Sequence, residues 1–176
     1  KFAEYAKKSV ELGANIVGGC CGTNPDFIKA IAGKINGLKP KKRKVEEKTK
    51  LCSRIKTVVV EPTLIVGERI NPTNRKGFTE EIKDGKTNYL RNQALQQVEE
   101  GTSLLDINVG VAGADETKTL PEAIGIVQNV VNAPLVIDTS NAEALEAALK
   151  KSSGKPLINS VNGSEKSLKE VLPLAK

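Results

Sequence analysis

The sequence predicts an α/β fold in which short parallel strands alternate with single helices. Four segments are apolar at consecutive positions, which is typical of strands that are covered on both faces. A segment with helical periodicity separates each of them from the next. Each apolar segment also ends in polar residues, at the end of the strand where parallel βα folds bind ligands. The predicted strands are residues 64–69, 104–109, 134–139 and 156–161.

The first part of the chain predicts a separate unit of helix, strand and helix. Residues 2–13 have apolar side chains at helical spacing, and Gly13 ends that helix. The apolar run that follows predicts a strand over residues 15–19, and Pro25 begins a second helix that extends to about residue 36. These elements are too few for a domain, so we expect them to be the last βα unit of a larger one.

Residues 37–61 form a connector in which basic side chains cluster over residues 39–56. Such a run is usually a solvated linker and sometimes a nucleic-acid patch. No aromatic residue interleaves with the basic ones to stack on bases, which favours the linker. We therefore expect residues 39–56 to be exposed with few packing contacts, and Cys52 to lie on no strand.

The remaining helices complete four βα units in residues 64–176. A full (β/α)8 barrel needs about 250 residues, so four units supply half of one. The sequence thus predicts parts of two (β/α)8 barrels joined by a basic linker, with neither barrel complete in this chain. The predicted domains are residues 1–37, 38–61 and 62–176, and the predicted helices of the last domain are residues 88–101, 120–131, 141–151 and 168–175.

Two adjacent cysteines, Cys20 and Cys21, lie between glycines directly after the first predicted strand. Neighbouring cysteines are poorly placed for a disulfide, but two thiolates can supply half of a tetrahedral zinc site. The alternative is a pair of buried cysteines that act as small hydrophobic side chains. The glycines favour the metal, because glycine weakens a core strand but allows a ligand to approach closely.

Composition excludes several classes of protein. The chain has no histidine, which excludes a histidine-based catalytic triad within it. Three cysteines, two of them adjacent, do not form a disulfide framework, so we expect a reducing cytoplasm. No apolar run approaches 18 residues, so we expect no membrane span. The net charge of +6 arises largely from the connector, and we expect no nucleic-acid partner.

Two sets of motifs resemble known families. The sequence Gly-Gly-Cys-Cys-Gly-Thr at residues 18–23 resembles the zinc-binding end of the homocysteine-binding barrel found in cobalamin-dependent methionine synthases and betaine–homocysteine methyltransferases. Residues 67–71, 105–110, 137–141 and 158–161 resemble the pterin-binding methyltransferases, with dihydropteroate synthase more distant. Both sets in this order resemble the family of cobalamin-dependent methionine synthases.

The resemblance implies particular site residues. Cys20 and Cys21 match two of three zinc-binding thiolates, and the third lies on an earlier strand that has no counterpart here. Asp138 and Asn159 match residues that hydrogen-bond the pterin, whose ring edge presents N–H donors and a carbonyl. The other residues that the resemblance assigns to the folate pocket are Asp106, Asn108, Asn74, Arg75 and Lys76.

The activity that the resemblance implies is methyl transfer from 5-methyltetrahydrofolate through cobalamin to homocysteine. The cobalamin-binding module would lie on other domains, and this segment alone is expected to be inactive. One alternative is a stand-alone methyltetrahydrofolate–corrinoid protein methyltransferase, which would not explain the cysteine pair. Another is a non-catalytic pterin- or metal-binding module.

Overall fold

The structure, a computed structural model, describes residues 1–39, 41 and 47–176. The chain divides into two compact units, Lys1–Glu47 and Lys48–Lys176. Part of the predicted connector, residues 40 and 42–46, lies outside the described residues.

Both helices predicted for the first unit are present. They are α1, Phe2–Leu12, and α2, Pro25–Ile35. Gly13 ends α1 in the left-handed conformation with φ of 110°, a geometry that glycine adopts without the steric cost of a side chain. The side chain of Asn24 accepts hydrogen bonds from the first turn of α2, and proline at the first helical position completes the start signal.

The strand predicted over residues 15–19 is wrong. Those residues adopt no regular structure, and Ile16 is 93% exposed. A strand requires a neighbouring strand to take up its N–H and C=O groups. The described part of this unit contains two helices and no strand, so the apolar segment has no partner there. Cys20 and Cys21 are exposed as well, which contradicts the alternative of buried hydrophobic cysteines.

The second unit contains a four-stranded parallel sheet, as predicted. The strand order β3-β4-β5-β6 follows the chain, and β1 and β2 form a separate antiparallel hairpin. Helix α3 was not among the predicted helices. The elements are β1 Lys50–Cys52, β2 Thr57–Val59, β3 Val66–Ile70, α3 Lys76–Lys83, α4 Asn88–Glu99, β4 Leu104–Ile107, α5 Glu116–Val130, β5 Leu135–Asp138, α6 Ala142–Lys151, β6 Leu157–Asn159, α7 Glu165–Val171 and a 3-10 turn at Leu172–Ala175.

The helices in the described part of the chain are short, from 7 residues in α7 to 15 residues in α5. None of them is both long and apolar enough to span a bilayer. Each of α4, α5 and α6 contributes buried apolar side chains to the main core.

The two faces of the sheet differ in what they carry. Because side chains alternate along a strand, Leu105 and Ile107 of β4 face the helices together with Ile137 of β5, and all three are fully buried in the main core. Leu104 and Val136 point to the opposite face, where they form a second, smaller apolar cluster. The polar residues of the strand ends share that second face.

The β1–β2 hairpin packs against the sheet, so the expectation that residues 39–56 are exposed with few contacts is wrong at Leu51, Cys52 and Ser53, whereas residues 47–50 and 54–56 are exposed as expected. Leu51 is only 4% exposed and packs with Leu104 and Val136. The sequence did not predict this packing, because the few apolar side chains of the segment lie among many basic ones and show no periodicity.

Cys52 lies on strand β1, which corrects the prediction that it lies on no strand. Its backbone N–H donates to the carbonyl of Lys155 at 3.1 Å, and its carbonyl accepts from the N–H of Lys155 at 2.9 Å. A side chain at the neighbouring Gly154 would place its Cβ 2.2 Å from the Cys52 carbonyl oxygen, so this close approach requires glycine. The guanidinium of Arg54 adds a hydrogen bond to the carbonyl of Gln128 at 2.6 Å.

We predict that Leu51→Ala destabilises the protein. Truncating a buried leucine removes apolar contacts and leaves a cavity, so the free energy of unfolding should fall by about 2–4 kcal/mol. Ile55→Ala is the matched control, since Ile55 lies in the same hairpin but is 77% exposed, and its effect should stay within about 0.5 kcal/mol. Urea unfolding of the purified proteins measures both values, and equal effects would contradict the packing of the hairpin.

Candidate functional site

Four polar side chains lie together at the carboxyl ends of neighbouring strands. Asp106 lies on β4, Asp138 ends β5 and Asn159 ends β6, and Asp138 is in direct register with Asn159. Asn108 follows β4 and lies two residues after Asp106, and this two-residue spacing places both side chains on the same face of the sheet. These are four of the residues that the sequence analysis assigned to a folate pocket, and the structure brings them together. We call them the polar cluster.

Two hydrogen bonds between side chains connect the polar cluster across the strands. The amide Nδ2 of Asn108 donates to Oδ2 of Asp138 at 2.9 Å. The amide Nδ2 of Asn159 donates to Oδ1 of Asp106 at 3.2 Å, across the intervening strand β5. Asn108 also accepts a hydrogen bond at its Oδ1 from the N–H of Gly110, at 3.0 Å. The cluster therefore consists of two hydrogen-bonded pairs, each formed across strands, and not of four independent surface groups.

None of the polar cluster residues is needed to begin the helix that follows its strand. The side chains of Asp115, Asn141 and Ser164 accept hydrogen bonds from the first turns of α5, α6 and α7. A polar residue at the end of a strand often has the role of a helix cap. Because other residues do this here, the polar cluster remains available for a ligand.

Burial raises the pKa of Asp106 to about 6. The hydrogen bond from Asn159 opposes this increase, while the neighbouring carboxylates of Asp138 and Glu68 add to it. Asp106 is 6% exposed, whereas Asp138 and Asn159 are half-buried. Three carboxyl groups near one another, all on strands of the sheet, favour a ligand that offers N–H donors.

Asn74 and Arg75 lie in the loop beyond the carboxyl end of β3, and Lys76 is the first residue of α3; all three are exposed. Asn74 has a positive φ of 59°, and Arg75 immediately precedes α3. The guanidinium of Arg75 donates to the hydroxyl of Tyr89. Within the described residues no hydrogen bond joins this loop to the polar cluster, so its contact with folate stays a prediction.

The sequence analysis missed Gln97, which organises strand β3. Its side chain is 1% exposed, and its Oε1 accepts from the N–H of Arg69 at 2.9 Å where the register of β3 against β4 shifts. A Cβ at Gly67 would lie 2.7 Å from this oxygen, so glycine makes room for the glutamine. A glycine inside a strand indicates a bulge or a close approach, and this was the available signal.

The cysteine pair has a spacing that suits a shared metal ion. The two sulfur atoms lie 3.7 Å apart, and two thiolates bound to a tetrahedral zinc ion at about 2.3 Å lie about 3.8 Å from each other. The hydroxyl of Thr23 donates to the carbonyl of Cys20 at 2.6 Å and closes the turn. The described residues contain no group of three or more potential metal ligands, so the pair would supply two ligands and no more.

The fold and the polar cluster define an α/β protein with a candidate ligand site at the carboxyl ends of parallel strands. Sequence comparison gives the family: the model of the pterin binding enzymes matches residues 67–176, so the chain belongs to the pterin binding enzymes. The model of the homocysteine S-methyltransferases matches residues 1–35.

One curated relative matches most of the chain. The chain is 29% identical over 155 residues to methionine synthase of Mycobacterium tuberculosis (strain ATCC 25618 / H37Rv). The match covers 86% of this chain and 13% of that protein, so the chain spans about an eighth of the length of this relative. These similarities confirm the resemblance that the two sets of motifs indicated.

We predict that Asp106→Asn stabilises the protein at neutral pH. Asp106 binds a proton more tightly in the folded state, so the free energy of unfolding falls as the pH rises from about 4 through about 6. Asparagine at position 106 keeps an oxygen that accepts the hydrogen bond from Asn159, but it buries no charge. The melting temperature at pH 7.5 should increase by about 2–4 °C, or about 1 kcal/mol, and the increase should largely disappear at pH 4.

The control for this prediction is Asp84→Asn, which neutralises an exposed carboxylate paired with Lys86. Thermal unfolding followed by circular dichroism at both pH values gives the comparison. A stability difference between Asp106→Asn and wild type that is the same at pH 4 and pH 7.5 would contradict the raised pKa.

Proposed function

We propose that this chain is part of a cobalamin-dependent methionine synthase, an enzyme that transfers a methyl group from 5-methyltetrahydrofolate through cobalamin to homocysteine. The single observation that carries the proposal is the polar cluster on a sheet that belongs to the pterin binding enzymes. The match of residues 1–35 to the homocysteine S-methyltransferases supports the second substrate. A stand-alone folate methyltransferase would leave that match unexplained.

The proposed architecture is a pair of incomplete (β/α)8 barrels. Residues 1–37 would be the last βα unit of a homocysteine-binding barrel, and residues 62–176 would be the first four units of a folate-binding barrel. The parallel order β3-β4-β5-β6, with a helix after each strand, supports the second half of this arrangement. We propose that residues 38–61 link the two, with the β1–β2 hairpin packed beneath the folate barrel.

In the folate site, Asp138 would accept hydrogen bonds from the N–H groups of the pterin aminopyrimidinone ring, and Asn159 would accept a further one. A carboxylate can accept two such bonds side by side, which fixes the plane of the ring. The loop of Asn74, Arg75 and Lys76 would approach the remainder of the folate. The role of these residues is to bind and orient the ring, since methyl transfer needs N5 aligned with its acceptor.

In the first unit, Cys20 and Cys21 would hold a zinc ion together with a third thiolate outside the described residues. The 3.7 Å distance between the two sulfur atoms and their exposure support this assignment. Bound zinc would lower the pKa of the homocysteine thiol and so supply a thiolate at neutral pH. We propose that cobalamin binds on other domains, and that the enzyme is cytoplasmic.

We predict that Asp138→Ala weakens the binding of 5-methyltetrahydrofolate at least tenfold. The variant loses charge-assisted hydrogen bonds worth about 1.5–3 kcal/mol each. Isothermal titration of the full-length protein measures the affinity. Glu146→Ala is the matched control, because Glu146 is an exposed carboxylate paired with Lys150 on helix α6, and its affinity should equal that of wild type.

The same variants separate the two half-reactions. Methylation of homocysteine from supplied methylcobalamin should stay near the wild-type rate in Asp138→Ala, because that step would use the other barrel. If the folded Asp138→Ala protein binds 5-methyltetrahydrofolate as tightly as wild type, the assignment of the folate site is wrong.

We also predict that the double variant Cys20→Ser/Cys21→Ser loses zinc. A structural or catalytic zinc site depends on its thiolates, so removing two of them should abolish tight binding. Zinc per chain after dialysis of the full-length protein is the measurement. Cys52→Ser is the control and should retain the wild-type content, and equal zinc in all three proteins would contradict the proposal.

A further inference from the structure

We infer that Asp106 and Asn108 are positioning residues, which hold Asn159 and Asp138 so that both present hydrogen-bond acceptors to the ligand. This inference rests on the proposed folate site. It adds an explanation of why Asp138 and Asn159 present acceptors, and not donors, to the ligand. The observation that carries it is the pair of crossed hydrogen bonds in the polar cluster, Asn108 to Asp138 and Asn159 to Asp106.

Asn108 has both ends of its amide engaged within the protein. Its Nδ2 donates to Asp138, and its Oδ1 accepts from the N–H of Gly110, at 2.9 Å and 3.0 Å respectively. The protein thus holds both ends of the Asn108 amide, and the N–H of Gly110 occupies one of the two lone pairs of its carbonyl oxygen. The contribution of Asn108 is therefore to fix the carboxylate of Asp138, which remains half-buried and within reach of a ligand.

Asn159 is held in one orientation by the charge of Asp106. Its Nδ2 donates to Oδ1 of Asp106 at 3.2 Å, which leaves the carbonyl Oδ1 at the other end of the amide. Within the described residues no hydrogen bond to that oxygen is present. The reversed orientation would set the carbonyl of Asn159 against a carboxylate, and two acceptors cannot share a hydrogen bond.

The resulting pattern selects the ligand. Two acceptors at neighbouring strand ends, Asp138 and Asn159, complement a flat ring edge that carries at least two N–H donors. A ring edge with acceptors at those positions would leave buried polar groups unpaired and would bind poorly. The inferred specificity is thus for the donor edge of an aminopyrimidinone, set by residues that do not themselves contact it.

The orientation of Asn159 depends on the protonation state of Asp106. The charged groups that face Asp106 are Asp138 on β5 and Glu68 on β3, while β6 contributes the neutral Asn159. Burial raises the pKa of Asp106 to about 6, so its carboxyl loses charge within an accessible pH range. A neutral carboxyl can donate to the Asn159 carbonyl as well as accept from its amide, so the orientation is no longer fixed.

A double-mutant cycle on ligand affinity tests this inference. The four proteins are wild type, Asp106→Ala, Asn159→Ala and the double variant, titrated with 5-methyltetrahydrofolate at pH 7.5 as full-length proteins. We expect Asp106→Ala to weaken binding about five- to tenfold and Asn159→Ala about tenfold. The double variant should bind as Asn159→Ala does, because a positioning residue has no effect once the group it positions is removed.

The pH dependence provides a readout that a purely structural role would not change. The affinity of wild type should fall as the pH decreases through about 6, and this step should be smaller in Asn159→Ala. Titration of the ligand itself is common to both proteins and cancels in the comparison. Asp106→Asn, which keeps the shape of the side chain, should also lose part of this decrease in affinity. If Asp106→Ala does not fold, Asp106→Asn takes its place in the double-mutant cycle.

The outcomes are distinguishable. If wild type does not bind 5-methyltetrahydrofolate, the proposed function fails. If wild type binds but the effects of Asp106→Ala and Asn159→Ala multiply, Asp106 acts independently of Asn159 and the inference is wrong. Asp115→Ala is the matched control, because Asp115 caps helix α5 outside the polar cluster, and its affinity should equal that of wild type.

Discussion

The two-residue period of the parallel strands is the constraint on which the site depends. In β4 and β5, alternate residues face the helices, and these are the fully buried aliphatic side chains of the main core. The intervening residues begin with Leu104 and Val136 and continue with Asp106 and Asp138. A slip of one residue in register would place both carboxylates in the apolar core and expose the aliphatic residues. The packing of the helices therefore also fixes the polar cluster.

The site is built at a cost to stability. Asp106 is buried beside two other carboxyl groups, and its raised pKa indicates that its charged form is disfavoured in the fold. Leu51 contributes to this environment, because it covers Leu104 and Val136, which lie one step below Asp106 and Asp138 on the same face. The basic connector thus has a structural role beneath the site. Burial of the Asp106 carboxylate is unfavourable by itself, but it fixes the orientation of the Asn159 amide. This role would explain why Asp106 is buried.

The sequence was sufficient for the elements whose signals are local and repeated. Four consecutive apolar runs predicted β3 to β6 and a ligand site at their polar carboxyl ends. The family resemblance then assigned Asp106, Asn108, Asp138 and Asn159 to that site. Three features needed tertiary contacts. The β1–β2 hairpin depends on contacts of Leu51 with two apolar residues far along the chain. The position of the Gln97 side chain depends on the bulge in β3. Residues 15–19 have a strand pattern but no neighbouring strand in the described part of their unit. A pattern of side chains does not reveal whether a partner is present.

The two proposed sites are organised in different ways. The polar cluster is held by strand register and by hydrogen bonds between residues distant in sequence, so its geometry comes from the fold. The cysteine pair is held by a local turn, in which Thr23 bonds the carbonyl of Cys20 and Asn24 begins the next helix. That turn alone brings the two sulfur atoms to a spacing suited to zinc. Residues 20–24 therefore provide two of the four ligands of the proposed zinc site. Binding of the remaining ligands would have to order the irregular segment at residues 15–19.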